Sequence, residues 1–144
     1  MASDVLVPVD ESEQSDTALE YALSEHPNAQ ITALHVVDPA DFHGAATMEA
    51  TAPATYDAIR GQQEDTTDQI LSDAEDRAER VNGIVDTEQL VGSPARSIVE
   101  FADGHDIDHI VIGTHGRTGT SRVLLGSVAE AVTRRAPVPV TVVR

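Results

Sequence analysis

Five short runs rich in β-branched residues alternate with four helical patterns along this chain. Most of the runs are continuously apolar, which is typical of strands that helices cover on both faces. The third run alternates between apolar and polar residues, which favours a place near a sheet edge. The order βαβαβαβαβ predicts an α/β fold, a single open parallel sheet with helices on both faces. The runs span residues 4–9, 31–37, 84–91, 109–113 and 139–143.

The first two helical patterns are predicted over residues 15–24 and over residues from about 58 to 81. Both carry apolar residues at helical spacing on one face. These are Ala18, Leu19, Ala22 and Leu23 in the first pattern, and Ile70, Ala74, Ala78 and Val81 in the second. Residues 38–58 lack a clear period and predict a long loop, either a lid over a ligand or a variable surface insertion.

The last two helical patterns have start signals. Ser93 is predicted as an N-cap with Pro94 at the first helical position. Ser127 is predicted as the N-cap of the final helix, with Glu130 three residues later completing a capping box. The predicted apolar face of the third helix is Ala95, Ile98, Val99 and Ala102.

Composition excludes several classes of protein. The 144 residues fit one domain, 1–144, and contain no cysteine and no lysine, so every base is an arginine. A Walker A loop, a protein kinase and a Schiff-base enzyme all need a lysine and are excluded. No histidine spacing typical of a zinc site occurs, so no dedicated metal site is expected.

Charge is high and unevenly placed. The formal net charge is −16, which suggests adaptation to concentrated salt (halophilic), with a merely acidic mesophilic protein as the alternative. Residues 1–114 carry 24 acids against 4 arginines, whereas residues 115–144 carry 5 arginines and only Glu130. An anionic small ligand at the basic segment is therefore expected, and no nucleic acid. No signal peptide or membrane span is visible, so a cytoplasmic protein without membrane contact is expected.

Residues 110–132, IVIGTHGRTGTSRVLLGSVAEAV, form the most informative stretch. A predicted strand leads through Gly113, Gly116 and Gly119 into a helix at Gly126-Ser127. Glycines let backbone amides turn toward an anion, and a helix N-terminus adds free amides and the positive end of its dipole. Arg117 and Arg122 add positive charge, so the segment predicts a phosphate cradle that needs no lysine.

The spacing Gly113-x2-Gly116-x9-Gly126-Ser127 matches the G-2x-G-9x-G-[S/T] signature of ATP-binding universal stress proteins. The segments VPVDESE, LHVVD, VGSPARSIVEFA, IVIGTHGRTG and PVTVVR resemble further family motifs, in the family's order. The whole chain thus resembles the ATP-binding branch of the universal stress protein (UspA-like) family. The resemblance implies a Rossmann-like fold, similar to the adenine nucleotide alpha hydrolases, with strand order 3-2-1-4-5. It also implies a homodimer joined through the fifth strands, from Pro139 to Val143.

The same resemblance implies a site for ATP across the ends of strands one and four, with any Mg²⁺ held mainly by the phosphates. Asp10 would accept hydrogen bonds from the adenine or ribose side; the alternative is that it caps the first helix. This sequence has Asp10-Glu11-Ser12 where many members have Asp-Gly-Ser. The implied contact residues are Pro8, Val9, Asp10, Val36, Ile112, Gly113, His115, Gly116, Arg117, Gly126, Ser127 and Val128.

Each segment of the site has an expected role. Pro8 and Val9 would shape the wall beside Asp10, and Val36 would pack against the base. Ile112 and Gly113 would line the ribose end. A side chain added at Gly113 would block the approach of the ligand while leaving the fold largely intact. Amides near His115 and Gly116, and those of Gly126, Ser127 and Val128 with the Ser127 hydroxyl, would meet the phosphates.

The predicted function is a regulatory, ATP-binding dimer of the stress response that acts on an unidentified protein client. No catalytic residue is assigned, because nothing in the sequence supplies a strong base to activate water. A second hypothesis is a slow ATPase or a phosphoryl- or adenylyl-transfer enzyme that uses the same cradle. A third is a structural dimer whose cradle is empty or holds another anion.

Overall fold

A computed structural model describes residues 3–39, 53–114 and 125–144, with the backbone alone for residues 53–60. It contains five strands and four helices within those residues. The strands are β1 (Asp4–Pro8), β2 (Gln30–Val37), β3 (Val85–Val91), β4 (His109–Gly113) and β5 (Val140–Val143). The helices are α1 (Glu13–Glu25), α2 (Pro53–Arg80), α3 (Pro94–Gly104) and α4 (Ser127–Arg135).

All five strands are parallel, in the order β3-β2-β1-β4-β5. The predicted fold class and strand order are therefore confirmed. Strand β1 is central. Strands β2 and β3 lie on one side of it and β4 and β5 on the other, so the strand order reverses between β1 and β4. In open parallel sheets this point, at the carboxyl ends of the strands, is where ligands bind.

The sheet separates two apolar layers, as strands with both faces covered require. On one face α1 and α2 pack over a cluster that includes Val5, Val7, Leu19, Ile70 and Val111. On the other face α3 and α4 pack over Leu6, Leu34, Ile98, Phe101, Ile110 and Val132. Alternate residues of β1 thus enter opposite layers, which confirms helices on both faces.

The two edges of the sheet differ. Strand β3 alternates between half-buried and exposed residues, which confirms the predicted edge position. Strand β5 is the other edge, and its four residues are all half-buried. Among the residues that the structure describes, no helix has both the length and the apolar character needed to cross a membrane.

Three predictions about the helices were wrong. Helix α2 begins at Pro53, five residues before the predicted start, so residues 53–58 are helical and not part of a loop. The rest of the predicted loop, apart from its first residues, lies outside the described residues. Val81 follows α2 and is 59% exposed, because the helix ends before this position turns inward.

The third error concerns the start of α4. The N-cap is Gly126, Ser127 is the first helical residue, and no side chain caps the helix. The Glu130 amide donates to the Gly126 carbonyl, and the Glu130 carboxylate pairs with Arg134 instead of folding back. The predicted capping box is therefore not formed, since Ser127 lies one position too far into the helix. At α3, by contrast, Ser93 is the N-cap as predicted, followed by Pro94.

Candidate functional site

A cavity of about 300 Å³ lies at the carboxyl ends of β1, β2 and β4, at the point where the strand order reverses. This volume is at the lower end of the range for small-molecule sites, roughly 300–1,000 Å³. Seven sequence-implied contact residues line it: Pro8, Val9, Asp10, Val36, Ile112, Gly113 and Val128. These residues therefore share one cavity, and their contacts with a ligand stay predictions.

The backbone of β2 forms one border of the cavity. Five successive residues, Leu34 to Asp38, line it. Successive side chains of a strand point to opposite faces, so side chains alone cannot explain an unbroken run of five. The hydrogen-bonding edge of β2 must therefore face the cavity.

That edge of β2 is exposed because β1 ends here. Strand β1 stops pairing with β4 on one side and with β2 on the other. Toward β4, the paired register of β1 ends at Leu6↔Ile110. Alternate residues of a strand direct their backbone groups to opposite neighbours, and Val9 donates to Leu34 of β2, so Pro8 faces β4. Proline has no N–H to donate, so it cannot continue that ladder.

Toward β2, the ladder ends at Pro8↔Leu34 and one further bond, from the Val9 amide to the Leu34 carbonyl (2.9 Å). In a parallel ladder the next bond would run from the Val36 amide to the Val9 carbonyl. The described backbone bonds do not include it. Instead, the Nδ1 atom of His35 lies 2.8 Å from the Val9 carbonyl oxygen.

A hydrogen-bonded turn fixes the chain just after β1. The Asp10 carboxylate accepts from the Ser12 amide (2.7 Å) and the Ser12 hydroxyl. Ser12 in turn accepts from the Ser15 amide (3.2 Å) and is the N-cap of α1. The alternative, that Asp10 itself caps the first helix, is therefore wrong. Asp10 instead accepts hydrogen bonds from Ser12, the residue that caps α1.

The cavity has two chemically different walls. The polar wall comes from the ends of β1 and β2 and from the α1 and α2 layer. The apolar wall comes from the opposite layer and from the inward side chains of the strands. The polar wall consists of Asp10, Glu11, Ser15, His35, Asp38, Gln63 and Thr66, and the apolar wall of Leu34, Val36, Pro94, Ile98, Ile112, Val128 and Ala129.

Gly113 has a packing role that the sequence did not indicate. A Cβ atom added there would lie 2.7–2.9 Å from the backbone and Cβ of Gln14 in α1. Real Cβ atoms do not approach a backbone that closely. Gly113 is therefore needed for the contact between β4 and α1, and the expectation that a side chain there would leave the fold largely intact was wrong.

The N-terminus of α4 lies beside the cavity, and its residues differ in their availability. The Gly126 amide donates to the Thr114 carbonyl (2.7 Å), so it is already engaged. Val128 lines the cavity, whereas Gly126 and the exposed Ser127 do not. The amides of the first helical turn have no partner within the helix and remain suited to an anion.

The remaining predicted residues of the phosphate cradle, His115, Gly116 and Arg117, lie outside the described residues, as do Gly119 and Arg122. Their roles stay predictions.

Several residues of the polar wall were missed by sequence reasoning. His35, Gln63 and Thr66 line the cavity, and the last two come from α2. The available signal was the alternation of β2, which directs His35 to the α1 and α2 layer, away from Val36. Nothing in the sequence indicated that α2 reaches the end of β1.

A second cavity of about 260 Å³ adjoins the first and shares Val9, Asp10, Glu11 and Thr66 with it. Burial raises the pKa of Asp16 in its wall, although Arg77 opposes this effect. Arg77 contacts Asp16 (3.0 Å) and Glu20 (2.6 Å), which joins the end of α2 to α1. Within the described ranges no three acidic or histidine side chains are grouped so that they could hold a metal ion.

The comparisons with known proteins assign the chain to a family. The model of the universal stress protein family matches residues 1–144. The chain belongs to this family. Universal stress protein MJ0531 of Methanocaldococcus jannaschii is 36% identical over 142 residues, which cover 97% of this chain and 81% of that protein.

Solved structures of family members share the fold. Universal stress protein UspA from Lactobacillus plantarum has a TM-score of 0.80 and 29% identity, covering 99% of this chain and 97% of that one. A universal stress protein in complex with cAMP has a TM-score of 0.71 and 27% identity, covering 99% and 97%. The universal stress protein family assignment thus rests on sequence and on structure.

Proposed function

We propose that this universal stress protein binds ATP in the cavity between β1 and β4 and acts as a nucleotide-dependent regulator of a protein client. The observation that carries the proposal is the convergence of sequence-implied contact residues from three strands and α4 on one cavity at the reversal of strand order. A family member of known structure binds cAMP, which is also an adenine nucleotide.

The base would lie against the apolar wall, with its edge toward β2. Leu34 and Val36 direct their backbone groups to the same side, which is the side where β1 has ended. A backbone N–H and C=O at Val36 would supply one donor and one acceptor. Adenine presents the complementary pair, the N1 acceptor and the N6 amino donor, whereas a 6-keto purine presents the opposite pair.

The phosphates would extend toward α4. Asp10, Glu11 and Asp38 on the polar wall would repel a triphosphate, whereas the amides and dipole of α4 attract one. Arg117 and the amides near His115 and Gly116 are proposed to complete the cradle. Mg²⁺, when bound, would be held mainly by the phosphates and water.

Ligand-dependent stability tests the proposal. The melting temperature of the full chain is measured with ATP, ADP, AMP and inosine triphosphate, after mass spectrometry of the denatured protein has identified any co-purified nucleotide. We expect ATP to stabilise most, by about 2.7 kcal/mol at one hundred times its Kd. A chain that responds to none of the four contradicts the proposal.

Hydrolysis assays separate regulator from enzyme. A regulator should turn ATP over far more slowly than about 1 s⁻¹, the low end of ordinary enzymes. Faster turnover would favour the alternative of an ATPase or a phosphoryl- or adenylyl-transfer enzyme.

We also propose that the protein is a homodimer joined through β5, the edge strand whose half-buried residues are mostly apolar. Ile110 and Thr114 donate to Pro139 and Val143, so those carbonyls face β4 and Val142 faces outward. Val142→Pro removes an outward N–H and should give a monomer in sedimentation analysis. Val142→Ala, which keeps the N–H, is the matched control and should remain dimeric.

A further inference from the structure

We infer that His35 is a positioning residue for nucleobase recognition. Its ring N–H donates to the Val9 carbonyl oxygen, which leaves the Val36 amide available to the base. This inference rests on the proposed function, because it assigns the base to the edge of β2. The Nδ1 atom of His35 and the Val9 oxygen are 2.8 Å apart.

The contact fixes the chemistry of the ring. A carbonyl oxygen only accepts, so Nδ1 must carry the hydrogen and donate. His35 reaches Val9 across 26 positions of sequence, from the second strand to the end of the first. Its ring is half-buried and lies in the polar wall, so the bond is partly shielded from water.

The competing partner of the Val9 carbonyl is the Val36 amide. The Val9 amide already donates to Leu34, so the ladder is in register to add the bond from Val36 to Val9. That bond would consume the donor that the proposed base needs. The His35 ring N–H satisfies this buried acceptor, so the Val9 carbonyl no longer needs the Val36 amide as its partner.

Two substitutions of His35 separate this role from simple packing. His35→Leu removes the donor, while His35→Asn keeps a short side-chain N–H close to the position of Nδ1. The control is His105→Leu. Its Nδ1 contacts the Phe101 carbonyl in the same manner (3.0 Å), but His105 does not line the cavity.

Affinities for ATP and inosine triphosphate give the readout. We expect His35→Leu to weaken ATP binding about tenfold and to lose most of the preference for ATP over inosine triphosphate. His35→Asn should restore the preference, and His105→Leu should leave it unchanged. A His35→Leu chain that keeps the full preference overturns the inference, whereas a wild-type chain that binds neither nucleotide overturns the proposed function instead.

Amide hydrogen exchange keeps the inference testable even where His35→Leu fails to fold. In the wild-type chain without nucleotide, the Val36 amide should exchange much faster than the Leu34 amide two residues earlier. ATP should then protect it. Equal protection of the two amides without nucleotide would show that Val36 is already bonded, and would overturn the inference.

Discussion

The two walls of the cavity are built in different ways. Side chains of the polar wall are tied to the backbone through specific hydrogen bonds, as Asp10 is to Ser12 and His35 to Val9. The apolar wall is built by packing, with Ile98 and Ala129 buried in the core cluster beneath it. Hydrogen bonds fix direction and packing does not, so the polar wall should set which ligand binds and the apolar wall how strongly the base is held.

The largest expected effect lies where α1 packs against β4. Gly113→Ala places a Cβ within 2.9 Å of Gln14 and should lower the free energy of unfolding by about 3 kcal/mol. Gly104→Ala is the matched control: nothing lies within 4 Å of its added Cβ, so stability should rise by about 0.5 kcal/mol. Urea unfolding measures both. A Gly113→Ala chain as stable as wild type would show that β4 is not tightly packed on α1.

The ion pairs between α1 and α2 come next. Arg77→Met should cost about 1.5 kcal/mol, because it removes two charged contacts of a side chain that is only 26% exposed. Arg96→Met removes an exposed pair with Glu100 within one helix and should cost less than about 0.5 kcal/mol. Equal losses in urea unfolding would mean that the partial burial of Arg77 is unimportant.

The same variant should show a characteristic pH dependence. Arg77 is the group that lowers the pKa of Asp16, so its removal raises that pKa further. A carboxyl whose folded pKa lies above its unfolded value destabilises the fold at neutral pH and ceases to do so once both states are protonated. The stability lost in Arg77→Met should therefore shrink as the pH falls through the raised pKa of Asp16 toward 3.8.

Charge in the polar wall gives a smaller effect on binding. Gln63→Glu adds a fourth carboxylate beside Asp10, Glu11 and Asp38 and should weaken ATP binding roughly fivefold, about 1 kcal/mol. Gln62→Glu changes the charge equally on the exposed neighbouring position and should change the Kd less than twofold. Calorimetric titration compares them. Identical Kd values for the two variants would contradict the placement of ATP in this cavity.

The smallest effect lies outside both walls, at the start of β4. Burial lowers the pKa of His109, and His26 lowers it further from a ring centroid 5.2 Å away. The unfolded chain then binds the proton more readily, so stability falls as the pH drops below 6.5 toward the lowered pKa. His109→Gln should flatten this part of the profile, whereas His105→Gln should not. An unchanged melting profile in His109→Gln would assign the acid sensitivity to other groups.

The predictable part of the molecule is the part governed by local patterns. Apolar runs, and for β3 an alternating run, located the five strands to within a residue or two. Each strand face that is covered by helices needs apolar side chains. The resemblance of local motifs to a family then implied contact residues, seven of which line the cavity. Both signals depend on neighbours in sequence.

The rest depends on contacts between distant segments. Gly113 packs against Gln14, and His35 bonds to the Val9 carbonyl, and no local pattern reports either contact. The start of α2 was placed too late because its first turns carry no apolar period. Ser127 was taken as an N-cap because serine favours that position, but Gly126, with the extended backbone of a cap, occupies it.

The abrupt end of β1 has a consequence for the empty protein. Pro8 has no N–H to donate to β4. On the side of β2, the Val9 carbonyl oxygen already accepts from the ring of His35. Without these two features, neighbouring strands could close the cleft by forming further backbone hydrogen bonds whenever the ligand leaves. In this protein the cleft is open before a ligand binds, so binding should change the backbone of the sheet very little.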